Sequence, residues 1–215
     1  MLLRQMQSLL AGLYDAPVEH DAEDFLVSDP KRVRDMVGEP GSDEQVFVVE
    51  QDGEVRIGLF IDQRVLDRLG RQDPLDALNE DNLSDFCTAL EGVSHFHYLI
   101  WSCARGRSVS LLELELQAEV DKYAIALALL TRQRAGAFPG GLHARMFNSV
   151  SFLPELDDIS RRRYQEANRH AARYCRLLDQ RYLHPRRRQP EKWLAELRRF
   201  FRCGHQEKIR QLALA

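Results

Sequence analysis

The residue types best suited to chemistry lie on two segments near the middle of the chain. Glu91 and His95 are four residues apart in one segment, and Glu115 and Glu119 have the same spacing in the next. Side chains four residues apart lie on the same face of a helix, so each pair can act together. Carboxylates and imidazoles are ligands of divalent metals and also exchange protons in acid–base catalysis.

The pattern around these pairs predicts two long helices, from about residue 83 to 103 and from about 110 to 134. Ser110 and Glu113 have the spacing of a capping box, which marks the start of the second helix. A tight connection at Gly106 separates the two helices. We therefore expect them to pack antiparallel as a helical hairpin.

In such a hairpin, residues equally distant from the turn lie opposite one another. His95 is then level with Gln117, between Glu115 and Glu119. Like charges four residues apart repel each other unless a cation lies nearby. Glu91, His95, Glu115 and Glu119 are therefore the predicted ligands of a divalent metal, and a metal-dependent hydrolase is one interpretation of the chain.

Ordinary ion pairs explain the same charges without a site. Glu119 and Lys122 are three residues apart, and Glu91 and His95 can pair within their own helix. Di-iron bundles use Glu-x-x-His from each of two helices, whereas this chain has Glu-x-x-x-His once. The sequence also lacks an HExxH motif, a G-x-S-x-G elbow and a Walker A loop. A non-catalytic binding or regulatory protein that acts through charged surfaces is therefore the leading interpretation, with another protein as its partner.

A second candidate surface lies near the C-terminus, where the charge reverses. Residues 1–154 carry a net charge of −11 and residues 155–215 carry +8. Within the basic part, Arg162, Arg169, Arg173 and Arg176 share one face of a predicted helix, opposite an apolar stripe. Such a face suits binding of nucleic-acid phosphates, although a solvated face or one that docks on the acidic part of the chain is favoured, because nucleic-acid-binding domains usually carry a basic balance over the whole fold.

The N-terminal part contains the β-structure. Asp52-Gly53 separates two runs rich in Val, Ile and Phe, as a two-residue hairpin loop requires. Pairing outward from that loop places Val46 and Val48 on the same face as Leu59. Residues 24–28 can add a third strand.

The whole pattern predicts an α+β fold that is predominantly helical. We expect a bundle of five to seven helices with a small antiparallel β-hairpin or three-stranded sheet near the N-terminus. Residues 1–215 are interpreted as a single domain, with a boundary near 154–160 as the alternative. Four scattered cysteines and no apolar run of about 18 residues favour a cytoplasmic protein that does not enter a membrane.

Overall fold

The computed structural model describes residues 1–51, 54–148, 157–183 and 188–214. The helices within these residues are α1 Leu2–Tyr14, α2 Pro30–Val37, α3 Gln63–Arg71, α4 Leu83–Cys103, α5 Leu111–Gln133, α6 Leu142–Asn148, α7 Asp158–Tyr182, α8 Pro190–Arg202 and α9 His205–Leu214. The strands are β1 Leu26–Val27, β2 Glu44–Gln51 and β3 Glu54–Ile61, and a 3₁₀ turn covers Ala22–Phe25. The fold is α+β and predominantly helical, as predicted.

The centre of the fold is the antiparallel pair α4 and α5. The Ser110 hydroxyl accepts a hydrogen bond from the backbone N–H of Glu113 at 3.2 Å, so the predicted cap does begin α5. Helix α5 packs on α4 at one side and on α7 at the other. This position explains why α5 is apolar on two faces, since each face lies against a neighbouring helix.

The sheet has the strand order β1-β3-β2 and packs against α4. Strand β2 is antiparallel to β3, with Val46 opposite Leu59, and β1 is parallel to β3. This register confirms the predicted hairpin and third strand, while the Asp52-Gly53 turn lies outside the described residues. Leu59 is fully buried, so the part of the predicted apolar face around it covers the core, whereas Val48, nearer the turn, is 55% exposed.

The described residues form nine α-helices rather than five to seven. One addition is α2, where Asp29 accepts from the N–H of Lys31, and the helix ends at Gly38 with a positive φ of 92°. Only one side chain of α2, Val33, is buried, so the helix has almost no apolar stripe that the sequence could reveal. The last predicted helix divides into α8 and α9 on either side of Gly204.

The basic helices after residue 157 pack on the rest of the fold, α7 against α5 and α8 against α1. The boundary near 154–160 remains a prediction, and residues 154–156 lie outside the described part. Within that part, no helix has an apolar stretch long enough to cross a bilayer.

Candidate metal centre

The predicted site lies where α4, α5 and the start of β2 meet. Helix α4 contributes Glu91 and His95, α5 contributes Glu115, and β2 contributes Glu44. Between the two α4 residues stands Gly92, and a Cβ atom there would lie 3.3 Å from Glu44 Oε2. The absent side chain thus lets the strand bring its carboxylate against the helix.

His95 lies between two carboxylates. Its Nε2 is 3.5 Å from Glu115 Oε2, and its Nδ1 is 3.7 Å from Glu44 Oε2. Both distances exceed the 2.7–3.2 Å of an ordinary N–H···O hydrogen bond. His95 Nε2 and Glu44 Oε2 are buried, and neither makes a hydrogen bond within the described residues. Unsatisfied polar atoms in a protein interior are uncommon and call for an explanation.

Two cations in this region, Lys122 and Arg163, pair with the carboxylates of Glu91, Glu119 and Glu115. Lys122 Nζ donates to Glu91 Oε2 at 2.6 Å and to Glu119 Oε1 at 2.9 Å. Arg163 of α7 lies with its Nε 3.5 Å from Glu115 Oε1. We call this group the acidic cluster, and its members are Glu44, Glu91, His95, Glu115, Glu119, Lys122 and Arg163.

Four carboxylates and two permanent cations leave the acidic cluster with two uncompensated negative charges when His95 is neutral. Burial disfavours a charged imidazole, yet the carboxylates of Glu115 and Glu44 outweigh it and raise the pKa of His95 well above its ordinary value. Burial also raises the pKa of Glu44. Two protons can therefore neutralise the cluster, and one divalent cation would supply the same charge.

Three of the four predicted ligands come together. Glu91, His95 and Glu115 each offer a ligand atom, and these atoms all lie within 4.8 Å of one another. In the described part of the chain, this is the single group of three or more acidic, histidine or cysteine residues with that spacing. Glu119 is not in the group and pairs with Lys122, as the ion-pair interpretation expected.

Glu44 was not identified from the sequence, although a signal was present. Glu44 precedes Val46 and Val48 at spacings of two, so it belongs to the strand face that covers the core. A carboxylate at such a position must find a polar partner. Arg163 gave no comparable signal, because it is one of three consecutive arginines and the sequence does not distinguish it from its neighbours.

A pocket of about 570 Å³ lies beside the acidic cluster, between α4, α5 and α6. Its wall includes Glu91, Glu119 and Lys122, together with Cys87 one turn before Glu91. Burial raises the pKa of the Cys87 thiol to about 12, so the group is not a thiolate nucleophile. The volume is within the range of small-molecule sites.

A second buried polar group lies further along the same two helices. The Asp121 carboxylate accepts hydrogen bonds from Tyr14, from Ser94 at 2.6 Å and from Gln117 at 2.6 Å. Lys208 of α9 is fully buried and donates to Gln117 at 2.7 Å and to Tyr98 at 3.0 Å. We call this group the Asp121 network, and its members are Tyr14, Ser94, Tyr98, Glu113, Gln117, Asp121 and Lys208.

Burial shifts both ionisable ends of the Asp121 network toward the neutral form. It raises the pKa of Asp121 to about 6, despite hydrogen bonds that favour the carboxylate. It lowers the pKa of Lys208 to about 7, against the attraction of Glu113 and Asp121. The sequence reasoning missed this network, because its members are distributed over four helices.

The four predicted phosphate-binding arginines lie on α7, and all four are exposed on one face of that helix. Within the described residues, Arg162, Arg169, Arg173 and Arg176 make no hydrogen bond or ion pair with another side chain. The opposite face of α7, which includes Ala167, is buried, as the predicted apolar stripe requires.

Comparisons with protein-family models, curated proteins and solved structures gave no significant match. Functional inference for this chain therefore rests on the geometry of the acidic cluster and the arginine face.

Proposed function

We propose that the protein binds one divalent transition-metal ion through Glu91, His95 and Glu115. The observation that carries this proposal is the buried atom His95 Nε2, which makes no hydrogen bond within the described residues and lies 3.5 Å from Glu115 Oε2. Two ligands of a tetrahedral ion with bonds of about 2.0–2.1 Å lie about 3.4 Å apart. One ion between these two atoms would satisfy both.

Glu44 supports the proposal from the other side of the ring. A histidine that binds a metal through one nitrogen commonly donates its other N–H to a carboxylate, which fixes its tautomer and orientation. Glu44 Oε2 faces His95 Nδ1 in that arrangement. One imidazole with two carboxylates is a mixed ligand set that suits Zn²⁺, Mn²⁺ or Fe²⁺ better than Ca²⁺ or Mg²⁺.

A metal held by three protein ligands keeps at least one position for water. Such an ion lowers the pKa of its water and generates a nucleophile at neutral pH. Glu91, one of the three proposed ligands, lines a pocket that gives a small molecule room beside it. Metal-assisted hydrolysis of a small molecule is therefore the reaction class that we propose, in place of the non-catalytic interpretation favoured by the sequence.

Metal titration of two matched amide variants tests the proposal. Glu115→Gln removes a ligand, whereas Glu119→Gln, one turn further along α5, changes a carboxylate outside the ligand group. We expect the wild-type chain to bind one Zn²⁺ or Mn²⁺ in calorimetry. Glu115→Gln and His95→Ala should weaken binding by about 100-fold or more, and Glu119→Gln by only a few-fold.

Enhanced relaxation of solvent protons by the Mn²⁺-loaded protein would report the open water position. A wild-type chain that binds neither ion, or a Glu119→Gln variant that loses as much affinity as Glu115→Gln, contradicts the site. Absence of metal binding would return the acidic cluster to a structural role and favour a non-catalytic binding protein.

The arginine face of α7 supports nucleic-acid binding as a second candidate function. Its four guanidinium groups extend over about 21 Å of helix, since 14 residues separate the first from the last at about 1.5 Å each. The arginines are exposed and have no carboxylate partner within the described residues. Unpaired cations in a row suit the phosphates of a nucleic-acid strand.

Charge reversal tests this second candidate. Arg169→Glu with Arg173→Glu should abolish binding of a fluorescent single-stranded oligonucleotide, and wild-type affinity should fall steeply with added salt. Arg32→Glu with Arg71→Glu makes the same charge change at exposed positions on α2 and α3 and should preserve most of the affinity. Equal losses in both double variants would indicate attraction to net charge alone and would eliminate α7 as the binding face.

A further inference from the structure

Lys122 occupies a position between two carboxylates that resembles one half of a two-metal centre. Its Nζ bridges Glu91 Oε2 of α4 and Glu119 Oε1 of α5, at 2.6 and 2.9 Å. Glu91 also belongs to the proposed ligand group with His95 and Glu115. One carboxylate would thus be shared between the metal ion and the ammonium group, as a bridging carboxylate is shared between two metals.

We infer that the Lys122 ammonium takes the place of a second metal ion and limits the centre to a single metal. This inference rests on the proposed function, because it specifies how many ions that same site accepts. Lys122 carries its charge in a site where its side chain is only 10% exposed. A buried ammonium is stable only when it is paired, and Glu91 and Glu119 provide that pairing.

Removal of the ammonium would leave a set of donors suited to a cation. Glu119 and the shared Glu91 would lose their counter-charge, and both line the pocket, from which water can complete a coordination shell. A single substitution of Lys122, which is not a metal ligand, would therefore create a second metal site.

Manganese binding to the full chain tests the inference, because Mn²⁺ is observed directly by electron paramagnetic resonance. The wild-type protein should bind one Mn²⁺ and give the six-line spectrum of an isolated ion. Lys122→Ala should bind two, with the broadened multiline spectrum of two exchange-coupled ions joined by a carboxylate. Lys122→Arg keeps the charge and should still bind one.

A double variant isolates the cause of the second site. Lys122→Ala with Glu119→Gln removes one donor of the new site and should return the stoichiometry to one. If Lys122→Ala does not fold, Lys122→Met replaces it, because methionine preserves more of the packing. Lys122→Met should also bind two ions. Two ions in the wild-type chain, or one ion in folded Lys122→Ala and Lys122→Met, overturn the inference. A wild-type chain that binds no ion contradicts the proposed function itself, which is a different outcome.

Discussion

The acidic cluster and the Asp121 network lie on the same pair of helices, yet the hydrogen bonding around His95 differs from that around Asp121. In the Asp121 network, donors and acceptors meet at hydrogen-bonding distance, with Ser94 and Gln117 each 2.6 Å from the carboxylate. In the acidic cluster, the His95 nitrogens stand 3.5 and 3.7 Å from carboxylate oxygens. Of these two groups, only the acidic cluster contributes residues to the pocket of about 570 Å³.

This difference separates a structural polar core from a candidate site. A network whose members satisfy one another gains nothing from a ligand and fixes the elements that carry it. Here the Asp121 network joins α1, α4, α5 and α9 through Tyr14, Ser94, Gln117 and Lys208. A network that leaves buried atoms without partners is less stable than it could be, and a bound cation would remove that deficit.

The largest expected effect comes from the same chemical change made once in each group. Asp121→Asn replaces an acceptor of three hydrogen bonds by an amide whose NH₂ faces other donors, so the free energy of unfolding should fall by about 2–3 kcal/mol. Glu115→Gln removes a charge from a crowded acidic site and should change the metal-free stability by less than about 1 kcal/mol. Urea denaturation of both variants measures the difference.

Equal destabilisation by the two amides would mean that the acidic cluster is as tightly organised as the Asp121 network. The contrast between them, and with it the argument for a metal site, would then fail. Glu119→Gln provides the control for loss of a carboxylate that lies outside both the network and the ligand group.

The pH dependence of stability gives a second, smaller test. The pKa of Lys208 is about 7 in the folded protein against 10.5 for a free lysine. Between these values the unfolded chain binds more protons than the folded one, so stability increases as the pH rises. From pH 7 to 8.5, the wild type should gain about 1.5 kcal/mol relative to Lys208→Met.

The comparison with Lys208→Met cancels the titration of the groups that do not interact with Lys208, because methionine fills a similar space without ionising. A constant difference between the two proteins over this range would show that Lys208 keeps an ordinary pKa. The ammonium would then be effectively solvated, and the Asp121 network would not be the closed structural core described above.

The sequence predicted the features that depend on local pattern. The hairpin register follows from strand alternation, and α5 begins at Ser110 because a hydroxyl cap depends only on residues nearby. The approach of His95 to Glu115 follows from the length of the α4–α5 connection, which sets the register of two antiparallel helices. These three predictions depend only on residues that are near one another in the sequence.

Contacts between distant segments could not be predicted in the same way. Glu44 reaches His95 from a strand 51 residues earlier, and Lys208 reaches Gln117 across 91 residues. No periodicity links such positions, because they depend on how whole elements pack together. Sequence spacing also does not determine which carboxylate of α5 a lysine neutralises. Glu119 was therefore assigned to the metal, although it pairs with Lys122.

The smallest expected effect on stability concerns Gly92, where the sheet meets the acidic cluster. A Cβ atom there would lie 2.9 Å from Leu59 Cδ1 and 3.3 Å from Glu44 Oε2. Alanine improves helix propensity by about 1 kcal/mol, but Leu59 must move to relieve the shorter contact and Glu44 to relieve the other, so we expect a net change below about 0.5 kcal/mol. Displacement of Glu44 from His95 should still weaken Mn²⁺ binding about tenfold.

Gly12→Ala on α1 is the matched control for Gly92→Ala, since nothing lies within 4 Å of a Cβ atom at that exposed position. It should stabilise the protein by about 0.5–1 kcal/mol and leave metal binding unchanged. If Gly92→Ala behaved identically, the carboxylate of Glu44 would have no part in orienting the imidazole. The unsatisfied atoms would then reflect loose packing at the sheet edge. The acidic cluster would differ from the Asp121 network only in how well its side chains are ordered, and not in having a ligand-binding role.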